Sequence, residues 1–204
     1  MPSKPKILIA TQNAGKLAEF EHLFGGRFEV VGLRGFDLTM PDEGDASYRE
    51  NAERKAEFVA GHTGMLTLGD DSGLEVDALG GEPGVRSARY GGEPASDRRN
   101  IDKLLGVLDA AGRSDRSAQF VCWLALAGRD GLLATAEGTC AGTIGFEPLG
   151  QNGFGYDPIF VFADGRTMSE LTDEEKDAVS HRGNAARSIL PAIEQALMDH
   201  SGDA

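Results

Sequence analysis

Two aspartates, Asp70 and Asp71, stand side by side directly after an apolar run, in the segment LTLGDDSGL (66–74). Adjacent like charges at the end of a buried segment repel one another, and a fold holds them only where a cation or a set of donors faces them. Whatever this chain folds into must therefore bring compensating groups to residues 70–71. Two readings of the pair stand. It is a site for a hard cation, or it is an ordinary exit from a strand into a turn, because Asp, Ser and Gly all favour turns.

The pattern around the pair is that of an α/β chain. The β-branched run KILIA (6–10) reads as a buried strand. Apolar residues at 17, 20, 23 and 24 then have helical spacing. A second strand is expected over 28–33 and a loop over 35–46. Ser47-Tyr48-Arg49-Glu50 is a capping-box pattern that opens a helix carrying Ala52, Ala56, Val59 and Ala60 on one face. Strands at about 65–69 and 74–78 are expected to flank the aspartates, with Ser72-Gly73 as the turn between them. A helix follows over 96–108. Residues 118–127 and 132–144 read as two long strands joined at Arg129-Asp130-Gly131, an antiparallel pair. A glycine-rich loop (150–158), a short strand (159–162) and a second capping box at Thr172-Asp173-Glu174-Glu175 come next. The last helix, 182–198, is expected to break or bend at Pro191. Helices alternate with strands early and strands pair directly later, which gives a mixed sheet in one domain, residues 1–204, frayed at 1–5 and 199–204.

A chain of 204 residues with a formal net charge of −13 is a poor partner for a nucleic-acid backbone or an anionic membrane surface. No apolar run is long enough to span a bilayer or to serve as a secretory leader. Cys122 and Cys140 lie in small or apolar surroundings without metal-pair spacing, as reduced core thiols do, and the expected setting is cytoplasmic.

Four places carry chemistry. Thr11-Gln12-Asn13-Ala14-Gly15-Lys16 leaves the first strand and enters the first helix, a junction suited to phosphate, although it lacks the P-loop pattern and also reads as a plain N-cap by Thr11 or Asn13. Asp42 and Glu43 join Asp70 and Asp71 as hard oxygen donors, which suit Mg2+ rather than zinc; alone, the first two read as a solvated loop. Phe154, Gly155, Tyr156 and Asp157 combine glycines that let a ligand approach the backbone with aromatic rings that can stack on a flat one, or they form a tight connection with the aromatics tucked into the core. Lys176 lies on a short helix and the Ser180-His181-Arg182 step opens the last one, which puts cations against its dipole; the step reads as a sign of an anion or acceptor-rich ligand nearby, or as a plain surface His-Arg pair.

These segments fall within five motifs: ATQNAGKLAEF (10–20), ENAERKA (50–56), DDSGLEVDALGGEPGVRSARYGG (70–92), GFGYDPIF (153–160) and ELTDEEKDAVSHRGNAA (170–186). In this order they resemble the inosine triphosphate pyrophosphatase family, house-cleaning enzymes acting on non-standard purine nucleotides. The resemblance implies hydrolysis of ITP, dITP and XTP to the monophosphate and pyrophosphate with Mg2+. It implies an elongated α/β fold, shared with Maf proteins, in which a long twisted mixed β-sheet and two lobes surround a central cleft, and a homodimer. Residue by residue it implies Asp71 as the catalytic acid and a metal ligand, and Glu43 (or its neighbour Asp42) and Asp70 as further metal carboxylates. Thr11 to Lys16 match the triphosphate segment, and Ser72 a substrate contact. Phe154, Gly155, Tyr156 and Asp157 match the nucleotide loop, and Lys176, His181 and Arg182 the residues that hold phosphate and base.

The expected mechanism follows. Asp71 takes a proton from, or orients, the water that attacks the α-phosphorus, and Lys16 stabilises the leaving pyrophosphate. Arg182 and His181, as donors, favour a 6-oxo purine over adenine by about 1–3 kcal/mol for each mismatched group. A Maf-like pyrophosphatase and a nucleotide-binding regulator without turnover are the competing readings. The GFGYDP and SHR segments argue against the first, and the intact acid pair against the second.

Overall fold

A computed structural model describes residues 4–45, 47–112 and 114–201. The fold is α/β. Strand β1 (Lys6–Ile9) leads to helix α1 (Ala14–Phe24), β2 (Glu29–Val31), α2 (Tyr48–Thr63) and β3 (Thr67–Val76). Short 3-10 turns precede α3 (Asp97–Ala111), after which come β4 (Ser117–Gly128), β5 (Gly131–Ile144), β6 (Phe160–Val161), α4 (Asp173–Val179) and α5 (His181–Ser201). The strands form one sheet in the order β2-β1-β3-β4-β5-β6. β1 runs parallel to both neighbours, with Ile7 opposite Val30 and Ile9 opposite Leu68. β4 and β5 are joined by two residues, which makes them an antiparallel hairpin, and β6 lies antiparallel to β5. The sheet is therefore mixed.

Local hydrogen bonding sets the helix starts where the sequence places them. Ser47 Oγ accepts from the Glu50 amide at the head of α2. At α4 both arms of the capping box form: Thr172 Oγ1 accepts from the Glu175 amide, and Glu175 accepts from the Thr172 amide.

Two expectations are corrected. Residues 65–78 do not form two strands about a turn; β3 runs unbroken through Asp70, Asp71, Ser72 and Gly73. A strand keeps charged residues in its middle only when partners meet them, and those partners are described below. α5 continues through Pro191 without a break, held on both sides of the proline by the buried Ile189 and Ile193. The expected frayed ends fall outside the described residues at 1–3 and 202–204, and α5 itself reaches Ser201.

The chain divides into two compact units. The first comprises residues up to Asp71, Cys122–Gly138 and those from Arg182 on; the second comprises Ser72–Val121 and Thr139–His181. In the first, Ile7, Ile9, Leu66, Leu68, Cys122, Leu124 and Leu126 pack against Phe20 and Phe24 of α1 and Ala185, Ile189 and Ile193 of α5. On the other face of the same strands, Ala52, Ala56 and Ala60 of α2 pack on Ala125 and Ala127. The second unit has its own core, built from Leu74, Ile101, Leu104, Phe120, Ile144, Tyr156 and Phe160 among others. Both cysteines are buried and free. Among the described residues no helix is long and apolar enough to cross a membrane.

Candidate active site

Successive side chains of a strand point to opposite faces of its sheet. β3 thus separates its two aspartates. Asp70 follows Leu66 and Leu68 onto the face covered by α1 and α5, whereas Asp71 follows Gly69 onto the face covered by α2. The like charges that open the sequence problem are met by different partners.

Asp70 is 1% exposed and surrounded by donors. Lys16 of α1 forms an ion pair with its Oδ1. Arg182 Nε donates to its Oδ2 at 3.3 Å, and the Cys122 thiol donates to the same oxygen at 3.2 Å. Burial alone would push this carboxyl up, but Lys16, Arg182 and Lys55 together outweigh it and hold Asp70 well below the usual carboxylate range. Arg182 is itself 2% exposed, and its Nη1 pairs with Glu19 of α1. The anion that a cation at the head of α5 requires is thus supplied by the protein's own carboxylates, and two of the Arg182 nitrogens expected to face a purine are engaged by them. Burial and Asp70 both push the Cys122 thiol well above its ordinary value.

Asp71 belongs to α2. Asn51 Nδ2 donates to its Oδ2 at 2.9 Å, and Lys55 Nζ reaches its Oδ1 at 3.2 Å. Lys55 also meets Glu43 Oε1 at 2.8 Å, so one ammonium stands between the two acids. Burial pushes the Asp71 carboxyl up; Lys55 and Lys16 pull it down, Glu43 pushes with burial, and the net direction is upward. Lys55 is affected inversely: burial disfavours its charge, but Asp71, Glu43 and Asp70 prevail and raise it. The approach of α2 to β3 that makes these contacts possible depends on small residues. A Cβ on Gly69 would overlap the Ala52 carbonyl and come within 2.9 Å of the Ala56 nitrogen.

The segment Thr11–Lys16 is a capped helix start. Asn13 Oδ1 accepts from the Gly15 and Lys16 amides at 2.8 and 3.1 Å, and Thr11 Oγ1 accepts from the Asn13 amide at 3.2 Å. The N-cap reading of Asn13 is thus realised. Gln12 and Ala14 are exposed, and Lys16 carries the charge of the segment onto Asp70.

Sequence reasoning groups Asp70, Asp71 and Glu43 as metal carboxylates. The structure brings Glu43 and Asp71 together across Lys55 and sets Asp70 on the opposite face. Among the described residues no three His, Cys, Asp or Glu side chains gather as a metal cage. Two hard carboxylates fit Mg2+ nonetheless, because this ion keeps waters and takes substrate phosphates as its remaining ligands.

The second unit holds the other expected residues. Ser72 is half-buried in β3. Asp157 Oδ2 accepts from the Phe154 amide at 3.0 Å and from Lys176 Nζ at 2.6 Å, which closes the loop upon itself. Gly153, at φ +76°, lies where a Cβ would strike that same carboxylate. The Lys176 ammonium stands 5.3 Å from the centroid of the Phe154 ring. The Gly155 amide donates to Asp97 at the head of α3, at 2.7 Å. Tyr156 is buried, its hydroxyl donating to the Ser87 carbonyl at 2.9 Å, and burial, with Tyr90 and Asp97, raises that phenol. Of the two readings of the loop's aromatics, Tyr156 takes the core one in this structure. His181 stacks on Phe120, with centroids 4.6 Å apart and 12° between the rings.

The Ham1 family model matches residues 7–192, which is nearly the whole described chain. The chain belongs to the Ham1 family. It is 46% identical over 192 residues to a dITP/XTP pyrophosphatase of Shouchella clausii, covering 93% of this chain and 96% of that one. A dITP/XTP pyrophosphatase of Geobacillus kaustophilus is 48% identical over 187 residues, covering 90% and 92%. The solved HAM1 protein of Coxiella burnetii superposes with a TM-score of 0.83 at 40% identity, over 94% of this chain and 99% of that one. In this Ham1 chain, sequence reasoning overlooked Asn51, Glu19, Cys122 and Asp97. Asn51 and Glu19 lie inside the motifs ENAERKA and ATQNAGKLAEF but carry no chemical signature there, and Cys122 and Asp97 lie outside the motifs. Asn51 and Glu19 do lie one helical turn from Lys55 and Lys16, on the same helix faces, and that spacing was the available signal.

Proposed function

We propose that this protein hydrolyses non-standard purine nucleoside triphosphates, dITP and XTP with ITP, to the monophosphate and pyrophosphate. The names of its close relatives support the reaction class. One structural observation supports the assignment of roles: β3 sets two neighbouring carboxyls among different partners, Asp70 enclosed by Lys16 and Arg182, which hold it down, and Asp71 beside Glu43 across Lys55, where burial pushes it up. Carboxyls pushed apart in this way divide the labour of a site, and the raised one is suited to accept a proton.

In this reading Asp71 orients and deprotonates the water that attacks the α-phosphorus. Asn51 fixes the direction of its carboxylate, and Lys55 supplies the positive charge beside it. Lys16, on the first turn of α1, steadies charge on the departing pyrophosphate. Asp70 is the buried counter-ion that holds Lys16 and Arg182 in place. Glu43 and Asp71 would hold Mg2+, which supplies charge neutralisation for the phosphates when bound. In the second unit, Phe154 and Lys176, with the loop closed by Asp157, serve the nucleotide. Ser72 and His181 keep the substrate-contact roles that the resemblance implies, and Arg182 can offer the base only what its bonds to Asp70 and Glu19 leave. A cytoplasmic homodimer completes the reading.

Pyrophosphate release measured over dITP, XTP, ITP, GTP and ATP tests it. Turnover of the first three with Mg2+, and none with chelator, is expected. Binding of dITP without release of pyrophosphate would favour a regulator over an enzyme.

A further inference from the structure

Asn51 is 2% exposed in the first turns of α2 and has no titratable group. Its amide is fully used. Nδ2 donates to Asp71 Oδ2 at 2.9 Å and to the Gly44 carbonyl at 2.9 Å, and Oδ1 accepts from the Gly44 amide at 2.8 Å. The two donations consume both hydrogens of the nitrogen. A flipped amide would set its oxygen against a carboxylate and a carbonyl, and its nitrogen against an N–H, so the orientation is unique. Gly44 follows Glu43 directly, in a segment with no helix or strand of its own. Arg54 adds a bond to the Asp42 carbonyl at 3.0 Å. Lys55 also touches Glu43 and Asp71, but an ammonium on a flexible stem supplies charge without fixing direction. Asn51 alone among these residues bonds at once to the backbone beside Glu43 and to the Asp71 carboxylate.

We infer that Asn51 is a positioning residue, a latch that ties the Glu43 loop to Asp71 so that the two carboxylates stand as a ready pair for a divalent cation. The inference rests on the proposed reading of Glu43 and Asp71 as the cation's carboxylates. Without the latch, the backbone beside Glu43 loses the bonds that tie it to α2 next to Asp71, and with them the fixed spacing of the two carboxylates.

The test uses Asn51→Leu, which keeps the branch at Cγ but removes all three bonds, and the smaller Asn51→Ala as a second variant. Mn2+ binding to the full chain without nucleotide is followed by electron paramagnetic resonance. Groups that orient metal ligands affect affinity by about 10–100-fold, and a loss in that range is expected for both variants. In the metal-free protein, the Gly44 amide should exchange with solvent faster, while the Val59 amide, deeper in α2, should not change. Because Asn51 acts through the placement of Glu43, its substitution should weaken Mn2+ binding less in a Glu43→Gln background than in the wild type. Wild-type Mn2+ affinity in Asn51→Leu, while Asp71→Asn and Glu43→Gln lose theirs, overturns the latch alone. So does faster exchange spread through Val59, which marks a general loosening of α2. Wild-type affinity in Asp71→Asn and Glu43→Gln overturns the reading of those carboxylates, and the latch with it.

Discussion

Asp70 and Asp71 are adjacent in the chain yet belong to opposite faces of β3: Asp70 pairs with Lys16 from α1 and bonds to Arg182 from α5, and Asp71 bonds to Asn51 and Lys55 from α2. The strand works as a partition. One carboxylate is neutralised by Lys16 and the buried Arg182, and the other stands beside Glu43 across Lys55. The alternation of side chains along one strand therefore decides which set of partners each acid meets.

The structural acid should show itself in acid denaturation. The folded-state pKa of Asp70 lies below its ordinary 3.8, so its stabilisation is fully present above 3.8 and is lost as pH falls toward the folded value. Asp70→Asn removes one partner of a buried ion network, which typically costs about 3–5 kcal/mol. Urea titrations of both proteins at several pH values check this. The gap between wild type and variant should be constant above about pH 5 and shrink below the ordinary pKa; a gap independent of pH down to acid unfolding would contradict it.

The poised acid should respond to Lys55. Burial pushes the Asp71 carboxyl up and Lys55 restrains it, so removing the ammonium must raise it further. In the metal-free protein, carboxyl carbon resonances should show Asp71 titrating above the ordinary aspartate value, and higher still in Lys55→Met. An unchanged or lowered midpoint in the variant would count against the arrangement.

Gly69 should be intolerant of even one methyl group. Its Cβ would meet the Ala52 carbonyl and the Ala56 nitrogen, backbone atoms that cannot rotate away. Gly69→Ala should cost about 1–3 kcal/mol by overpacking and should also lower kcat/KM, because α2 carries Asn51 and Lys55 away from Asp71. Thermal melting and steady-state kinetics on the same preparation check both effects. Full activity in a destabilised variant would show that the helix's approach does not matter to the site.

The elements of this fold that rest on local physics were legible in the sequence. The N-cap at Ser47, the capping box at Thr172, the hairpin between 117 and 144, and the alanine face of α2 follow from residues a few positions apart. The continuity of β3 was not legible, because Asp-Asp-Ser-Gly is locally a turn sequence and only distant residues, Lys16 and Arg182, make it a strand. At Pro191 the helix does not break, and the buried Ile189 and Ile193 pack on either side of the proline. In the site, charged residues announced themselves, whereas Asn51, whose role lies wholly in hydrogen-bond geometry, did not.

The most direct measurement is pyrophosphate release from dITP by Asp71→Asn at saturating Mg2+, with folding confirmed by its melting curve. Loss of the proton acceptor should lower kcat by about 10²–10⁴-fold. Turnover near the wild-type rate would contradict the assignment of Asp71 as the group that activates water.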